Sequence, residues 1–182
     1  MEFESLAIPE VVVIRPKVYS DARGFFMETF RQELFERYCG AYQFVQDNHS
    51  RSSQGILRGL HYQLEQPQGK LVRVTKGEVF DVAVDLRKSS PTFGHWVGRT
   101  LNEDNKELMW VPPGFAHGFY VISETADFQY KCTDYYAPHD EKVLLWSDPD
   151  LAIDWPLLSE HPLMSEKDLQ GSLLENCITY GC

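Results

Sequence analysis

The chain has 182 residues, 43% of them hydrophobic and 13% aromatic, with 17 Lys and Arg against 27 Asp and Glu for a formal net charge of −10. Such a chain is neither disordered nor fibrous, and as one domain it can bury about 70% of its unfolded surface. The acidic balance excludes non-specific nucleic-acid binding, which needs a basic footprint, and apolar runs no longer than those at 11–14 and 143–146 fall far below the roughly 20 residues of a bilayer span.

Residues 1–4 lack the basic start and apolar run of an export signal, so a cytoplasmic protein is expected. Cys39, Cys132, Cys177 and Cys182 show neither metal nor redox spacing and are expected to be reduced thiols. Short β-like runs fall at 11–15, 24–30, 42–47, 56–63, 71–75, 78–85, 95–101, 107–111, 118–122, 127–133 and 143–146. In the run 78–85, Phe80, Val82 and Val84 alternate with Val79, Asp81, Ala83 and Asp85, the period of a half-buried strand. Lys76-Gly77 reads as the hairpin turn before it. One helix is expected over 31–38, with Phe30, Leu34, Phe35 and Tyr38 as its apolar stripe and Gly40 as its stop. A shorter one is expected after Ser165. Many short strands separated by turns predict an all-β sandwich or barrel, and a jelly roll leaves a lumen in which inward side chains form a site.

Six histidines are present: His49, His61, His95, His117, His139 and His161. His61 and His117 sit in apolar stretches, which suits either a hydrogen-bonded core residue or a functional one. Arg58, Lys70 and Arg73 crowd the stretch around His61, and strands rarely hold so many cations without a ligand. The spacing Pro112-x-Gly114-x-x-His117 matches the second motif of cupin-type jelly rolls. Their first motif supplies two histidines as HxH; here the place reads His61-Tyr62-Gln63, so the second ligand is missing and no metal is expected. Metal-free acid–base chemistry remains, with a histidine base oriented by an acid. Tyr130 on a facing strand offers a proton donor or else a core aromatic, and Lys70 offers a cation for an enolate oxygen. No Walker or Rossmann loop occurs, so phosphate would fall to scattered arginines among Arg23, Arg51, Arg58 and Arg73.

Seven segments then appear in order: Asp21-x-Arg23-Gly24-Phe25-Phe26-x-Glu28, Gln46-Asp47-Asn48-His49-Ser50, Leu57-Arg58-Gly59-Leu60-His61-Tyr62-Gln63, Gly69-Lys70-Leu71-Val72-Arg73, the run 77–87, Pro113-Gly114-Phe115-Ala116-His117-Gly118-Phe119, and Tyr130-Lys131-Cys132-Thr133. Together, from about residue 5 to about 168, they resemble the dTDP-4-dehydrorhamnose 3,5-epimerase family, whose members need no cofactor. The resemblance implies a double-stranded β-helix, the cupin-like jelly roll, with a few short helices. It implies that His61 is the base, Asp168 its acidic partner, Tyr130 the acid on the opposite face, and Lys70 the stabiliser of an enolate from a C4 ketone. Arg23, Glu28, Gln46, Asp47, Asn48, Arg58, Lys70, His117, Glu141 and Lys167 match positions that hold the dTDP-sugar, and Tyr136 matches an aromatic near the sugar. It further implies a homodimer in which the strands of 1–50 are exchanged, so that Arg23 and Glu28 act across it.

One single domain over 1–182 is thus expected, with 169–182 as a peripheral tail that covers a neighbour or frays. Strict alternation would put Arg58 and His61 on opposite faces of one strand, so Gly59 must mark a bulge or bend. The run 165–168 reads equally as a helix cap. Excess acid is expected on solvated faces, while Arg23, Arg58, Lys70 and Lys167 converge on one pocket. Alternatives are an epimerase of one centre or a ketoisomerase on the same scaffold, a metal-dependent cupin oxygenase, which Gln63 disfavours, and a non-catalytic sugar-binding jelly roll.

Overall fold

A computed structural model describes residues 1–181; Cys182, expected above as a tail thiol, lies outside the described residues. The strands are β1 (Glu2–Ser5), β2 (Val12–Arg15), β3 (Val18–Asp21), β4 (Gly24–Met27), β5 (Gln46–Ser53), β6 (Leu57–Gln63), β7 (Lys70–Lys76), β8 (Glu78–Asp85), β9 (Trp96–Asn102), β10 (Leu108–Val111), β11 (Phe115–Val121), β12 (Thr125–Cys132) and β13 (Glu141–Val143). Helix α1 spans Gln32–Cys39 and α2 spans Glu166–Leu169. A six-stranded sheet in the order β1-β2-β10-β7-β12-β5 faces a five-stranded sheet in the order β13-β6-β11-β8-β9, and β3 and β4 form a separate ribbon. This is the expected cupin-like jelly roll with few helices.

Side chains from both sheets fill the interior: Val72, Met109 and Phe128 from one meet Val79, Ala83 and Phe119 from the other. The Phe119 and Phe128 rings stack at 4.1 Å and separate this apolar half of the lumen from a polar half. Outside the six-stranded sheet, α1 lays Phe35 edge-on against Trp110 at 4.9 Å and covers Val12, Ile14, Leu71 and Leu108. Of the predicted stripe, Phe35 is the buried member, while Tyr38 is exposed and stacks on Phe3.

Two expectations are corrected. β8 is buried on both faces, because the chain from Leu144 to Tyr180 covers Val82, Val84 and Phe80 on the outside of the five-stranded sheet. The predicted strand at 42–47 is loop over most of its length, with Tyr42 and Phe44 on Trp110. The true strand is β5, which is polar throughout and so carries no apolar period. Of the two courses expected of the tail, it takes the first and covers a neighbour: Tyr180 bridges to Arg87, the Tyr62 hydroxyl donates to the Ile178 carbonyl at 2.9 Å, and Leu174 and Cys177 join the outer core.

The β6–β11 pairing slips between His117 and Phe119, and Gly59 sits at φ +118° beside the slip. A Cβ at Gly59 would lie 2.7 Å from both Gly118 Cα and the His117 carbonyl, backbone atoms that cannot rotate away. Gly59→Ala is therefore expected to destabilise the fold by about 1–3 kcal/mol. Thermal unfolding measures it, and an unchanged midpoint would show that the close approach is not real.

Candidate active site

The slip brings Arg58 and His61, three positions apart on β6, to the wall of one cavity. His61 Nε2 lies 2.6 Å from Asp168 Oδ1, a carboxylate carried by α2 and 107 residues away in sequence. Ser165, at the N-terminus of α2, accepts the Asp168 backbone N–H at 3.1 Å, so the capping sequence and the site are the same residues. Burial opposes the charge on Asp168, but hydrogen bonds from His61, the Gly59 N–H and Ser165 outweigh it and hold the carboxyl below its usual range. With Nε2–H donating to Asp168, His61 Nδ1 is the nitrogen left to accept a proton; its nearest acid is Glu141, at 3.9 Å.

His117 pairs with His61 across β11 and β6 and is itself held by the buried Asp81, at 2.9 and 3.0 Å. Burial pushes the His117 imidazole below, and the Asp81 carboxyl above, their ordinary values. Lys70 lines the same cavity, its ammonium disfavoured by burial and supported by the nearby Cys132, Glu141 and Asp81. From the opposite sheet Tyr130 enters on β12, its hydroxyl pushed up to about 12 chiefly by burial.

The cavity holds about 290 Å³ and is also lined by Gln46, Asn48, Tyr136 and Glu141. It adjoins a second space of about 370 Å³, shared at Arg58 and His61 and walled by Lys167 and Asp168. Arg58 Nε donates to Ser52 at 3.0 Å. Gln46 donates to Asn48 and accepts the Tyr136 N–H, while Glu141 accepts from both Tyr136 and Lys167. Burial opposes ionisation of Glu141, yet the Lys167 ammonium draws its carboxyl below the usual range.

Of the predicted site residues, His61, Tyr130, Lys70, Asp168, Gln46, Asn48, Arg58, His117, Tyr136, Glu141 and Lys167 thus border these two spaces. Three do not. Asp47 turns to the outer face of its sheet and pairs with Lys131 at 3.0 Å. Arg23 is fully exposed at the tip of the β3–β4 ribbon, paired with Asp21, and Glu28 pairs with Arg31. The expected convergence of Arg23 on the pocket is not met within one chain, where Arg23 lines neither space and its guanidinium pairs with Asp21. Asp81 was missed, although a carboxylate at the inward parity of Val79 and Ala83 already demands a buried partner. Gln63, at the missing cupin ligand position, spends its amide on Gln66, Tyr135 and Ala137. Among the described residues no group of three or more His, Cys, Asp and Glu is arranged to hold a metal ion.

Fold and site define a cupin-like jelly roll with two histidine–carboxylate pairs in its lumen. The family model for dTDP-4-dehydrorhamnose 3,5-epimerase matches residues 5–176. A dTDP-4-dehydrorhamnose 3,5-epimerase of Pseudomonas aeruginosa is 60% identical over 94% of each chain. The crystal structure of a dTDP-6-deoxy-D-glucose-3,5-epimerase from Legionella pneumophila in complex with dTDP-4-keto-L-rhamnose superposes with a TM-score of 0.93, at 55% identity over 96% of this chain and 93% of that one. A 3′-monoepimerase from Streptomyces bikiniensis, in complex with dTDP-quinovose, has a TM-score of 0.87 at 33% identity over 94% of this chain and 87% of that one. The chain belongs to the dTDP-4-dehydrorhamnose 3,5-epimerase family and is an isomerase. No helix among the described residues is long and apolar enough to cross a membrane.

Because the Asp168 carboxyl is held low in the folded chain, its ionisation stabilises the fold fully above the unfolded value of about 3.9 and ceases to do so as pH falls through the lower folded value. The stability difference between wild type and Asp168→Asn, measured by urea unfolding, is expected to be constant near neutral pH and to shrink below about pH 4. A difference independent of pH would mean that the carboxylate charge is not what the fold uses.

Proposed function

We propose that the chain inverts C3 and C5 of dTDP-4-dehydro-6-deoxy-D-glucose to give dTDP-4-dehydro-L-rhamnose by acid–base catalysis without a cofactor, in the cytoplasm, as a step of dTDP-L-rhamnose synthesis. The observation that carries the reading is the placement of His61, paired with Asp168, and Tyr130 on opposing walls of one cavity beside Lys70. A C4 ketone acidifies the hydrogens on C3 and C5. His61 Nδ1 removes such a proton, and Asp168 stabilises the resulting imidazolium. The electrons pass to the C4 oxygen, where the buried Lys70 ammonium meets the enolate; such a contact is stronger out of water. Tyr130, kept protonated by burial, returns a proton to the opposite face. Arg58, Lys167, Gln46, Asn48, His117, Tyr136 and Glu141 surround the space left for the nucleotide-sugar.

An epimerase of one centre is the second reading, favoured by the likeness to the Streptomyces bikiniensis enzyme. Turnover in D₂O with EDTA, followed by NMR, separates the two. Deuterium at both C3 and C5 is expected; exchange at one centre establishes the second reading, and no exchange, or loss of turnover to the chelator, overturns both. His61→Ala is expected to lower exchange by about 10²–10⁴-fold while dTDP binding, measured by calorimetry, stays within a few-fold; loss of binding would make His61 structural.

The reading also includes a homodimer with exchanged N-terminal strands. Supporting it, the β3–β4 ribbon exposes Tyr19, Phe25 and Phe26 at 56–71%, and the outer face of the six-stranded sheet holds an open pocket of about 400 Å³ lined by Leu71, Arg73, Gln129 and Lys131. Arg23 and Glu28 would then complete the partner's site. Inactive Arg23→Ala and His61→Ala chains, unfolded and refolded together, are expected to regain about a quarter of wild-type sites through mixed two-fold dimers. No recovery would place Arg23 outside the partner's site.

A further inference from the structure

Residues 163–172 form an arch beside the cavity, and Asp168 and Lys167 stand on it. One foot rests at the start of β6, where Leu163 donates to the Gly55 carbonyl at 2.8 Å and accepts from the Leu57 N–H at 2.9 Å. The other foot rests at the end of β13. There Ser172 donates to the Val143 carbonyl at 2.9 Å and accepts from the Leu145 N–H at 2.8 Å. Val143 is the residue paired with His61 across β13 and β6. The second foot therefore stands on the strand beside the histidine and fixes how far the carboxylate is from it. Between the feet lies only the four-residue α2, too short to hold its own position.

At the second foot is Gly171. A Cβ there would meet Leu145 Cα at 2.8 Å, Leu145 N at 2.9 Å and the Leu144 carbonyl carbon at 3.1 Å. All three are backbone atoms, so no rotamer change relieves the contact. Downstream, the arch has no slack: the Leu174 N–H donates to Asp148 at 2.6 Å, and the Tyr180 hydroxyl donates to the Gln63 carbonyl at the end of β6.

We infer that Gly171 is a positioning residue for the His61–Asp168 pair: lacking a side chain, it lets Ser172 dock on β13 and so holds the Asp168 carboxylate at hydrogen-bond distance from the His61 ring. The inference deepens the proposed function, because it rests on that pair being the proton-abstracting one. A side chain at 171 lifts the second foot from β13, and the displacement passes through three residues to Asp168. The sheets and the buried members of all three cores are built from residues outside the arch, of which Met164 alone packs against a core, so the fold outside the arch does not depend on the second foot.

The test is a double-mutant cycle. Gly171→Ala and Gly171→Val are made in wild type and in Asp168→Asn, and turnover, dTDP affinity, thermal midpoint and exchange of the Ser172 amide are measured. In wild type, Val is expected to lower kcat by about 10²-fold and Ala by about tenfold, in order of size, with faster Ser172 exchange and dTDP affinity within a few-fold. In Asp168→Asn the same changes are expected to cost less than about twofold, because the group they displace is already gone. Equal losses in both backgrounds, or unchanged kcat despite rapid Ser172 exchange, overturn the inference. Should the Val chain fail to fold, the Ala cycle alone decides by the same criteria. Wild-type turnover in Asp168→Asn would overturn the pair itself and Gly171's role with it, whereas an impaired Asp168→Asn with additive Gly171 losses overturns only the role of Gly171.

Discussion

A polar chamber inside a β-sandwich strips water from every charged group on its walls, and each such group must find a partner or lose its charge. The lumen of this protein meets that constraint with neighbouring histidines, each bound to a carboxylate. His117 takes Asp81 from the adjacent strand of its own sheet, and His61 takes Asp168 from the far end of the chain. Without such partners the polar half of the lumen would collapse into apolar packing or fill with solvent. The stacked Phe119 and Phe128 rings mark where one regime gives way to the other.

The two pairs differ in a way that suits different tasks. Asp81 and His117 are both wholly buried, and burial moves both toward their uncharged forms. That pair forms a buried part of the cavity wall. His61 is partly open to the cavity, and Asp168 keeps its negative charge through several hydrogen bonds. This second pair can gain and lose a proton against a fixed anion, which is what a general base requires. The difference arises from placement alone, since the residue types are identical.

Covering the outer face of the five-stranded sheet links this chemistry to the fold. The chain after Leu144 has to bury Val82, Val84, Leu60 and Tyr62, and in doing so it passes the edge of β6 and delivers Asp168 to His61. The same path explains why a strand read as half-buried is buried twice, and why the tail covers a neighbour, fastened at Tyr180, and does not fray. On the other sheet, α1 plays the covering role over Trp110, while the region beyond it, around Arg73 and Lys131, stays open.

Much of this was legible in the sequence. Alternation located β8 at its observed bounds, Gly40 ended α1, and the ordered motifs placed His61, Lys70, His117 and Tyr130 on strands of a jelly roll, because local periodicity and turn chemistry follow from neighbouring residues. β5 was not legible: Asn48, Ser50 and Ser52 alternate toward a polar lumen, so the strand has no apolar period to read. The conflict between Arg58 and His61 was legible, since alternation demanded a bulge or bend at Gly59 and the slip against β11 lies there, although its form depends on that partner strand. Local pattern was enough to say where most of the strands run, and the resemblance singled out the candidate site residues. The tertiary structure was needed to bring Asp168 against the His61 with which the resemblance had paired it, and to turn Asp47 and Arg23 elsewhere, because those placements depend on contacts between segments far apart in the chain, which no local pattern encodes.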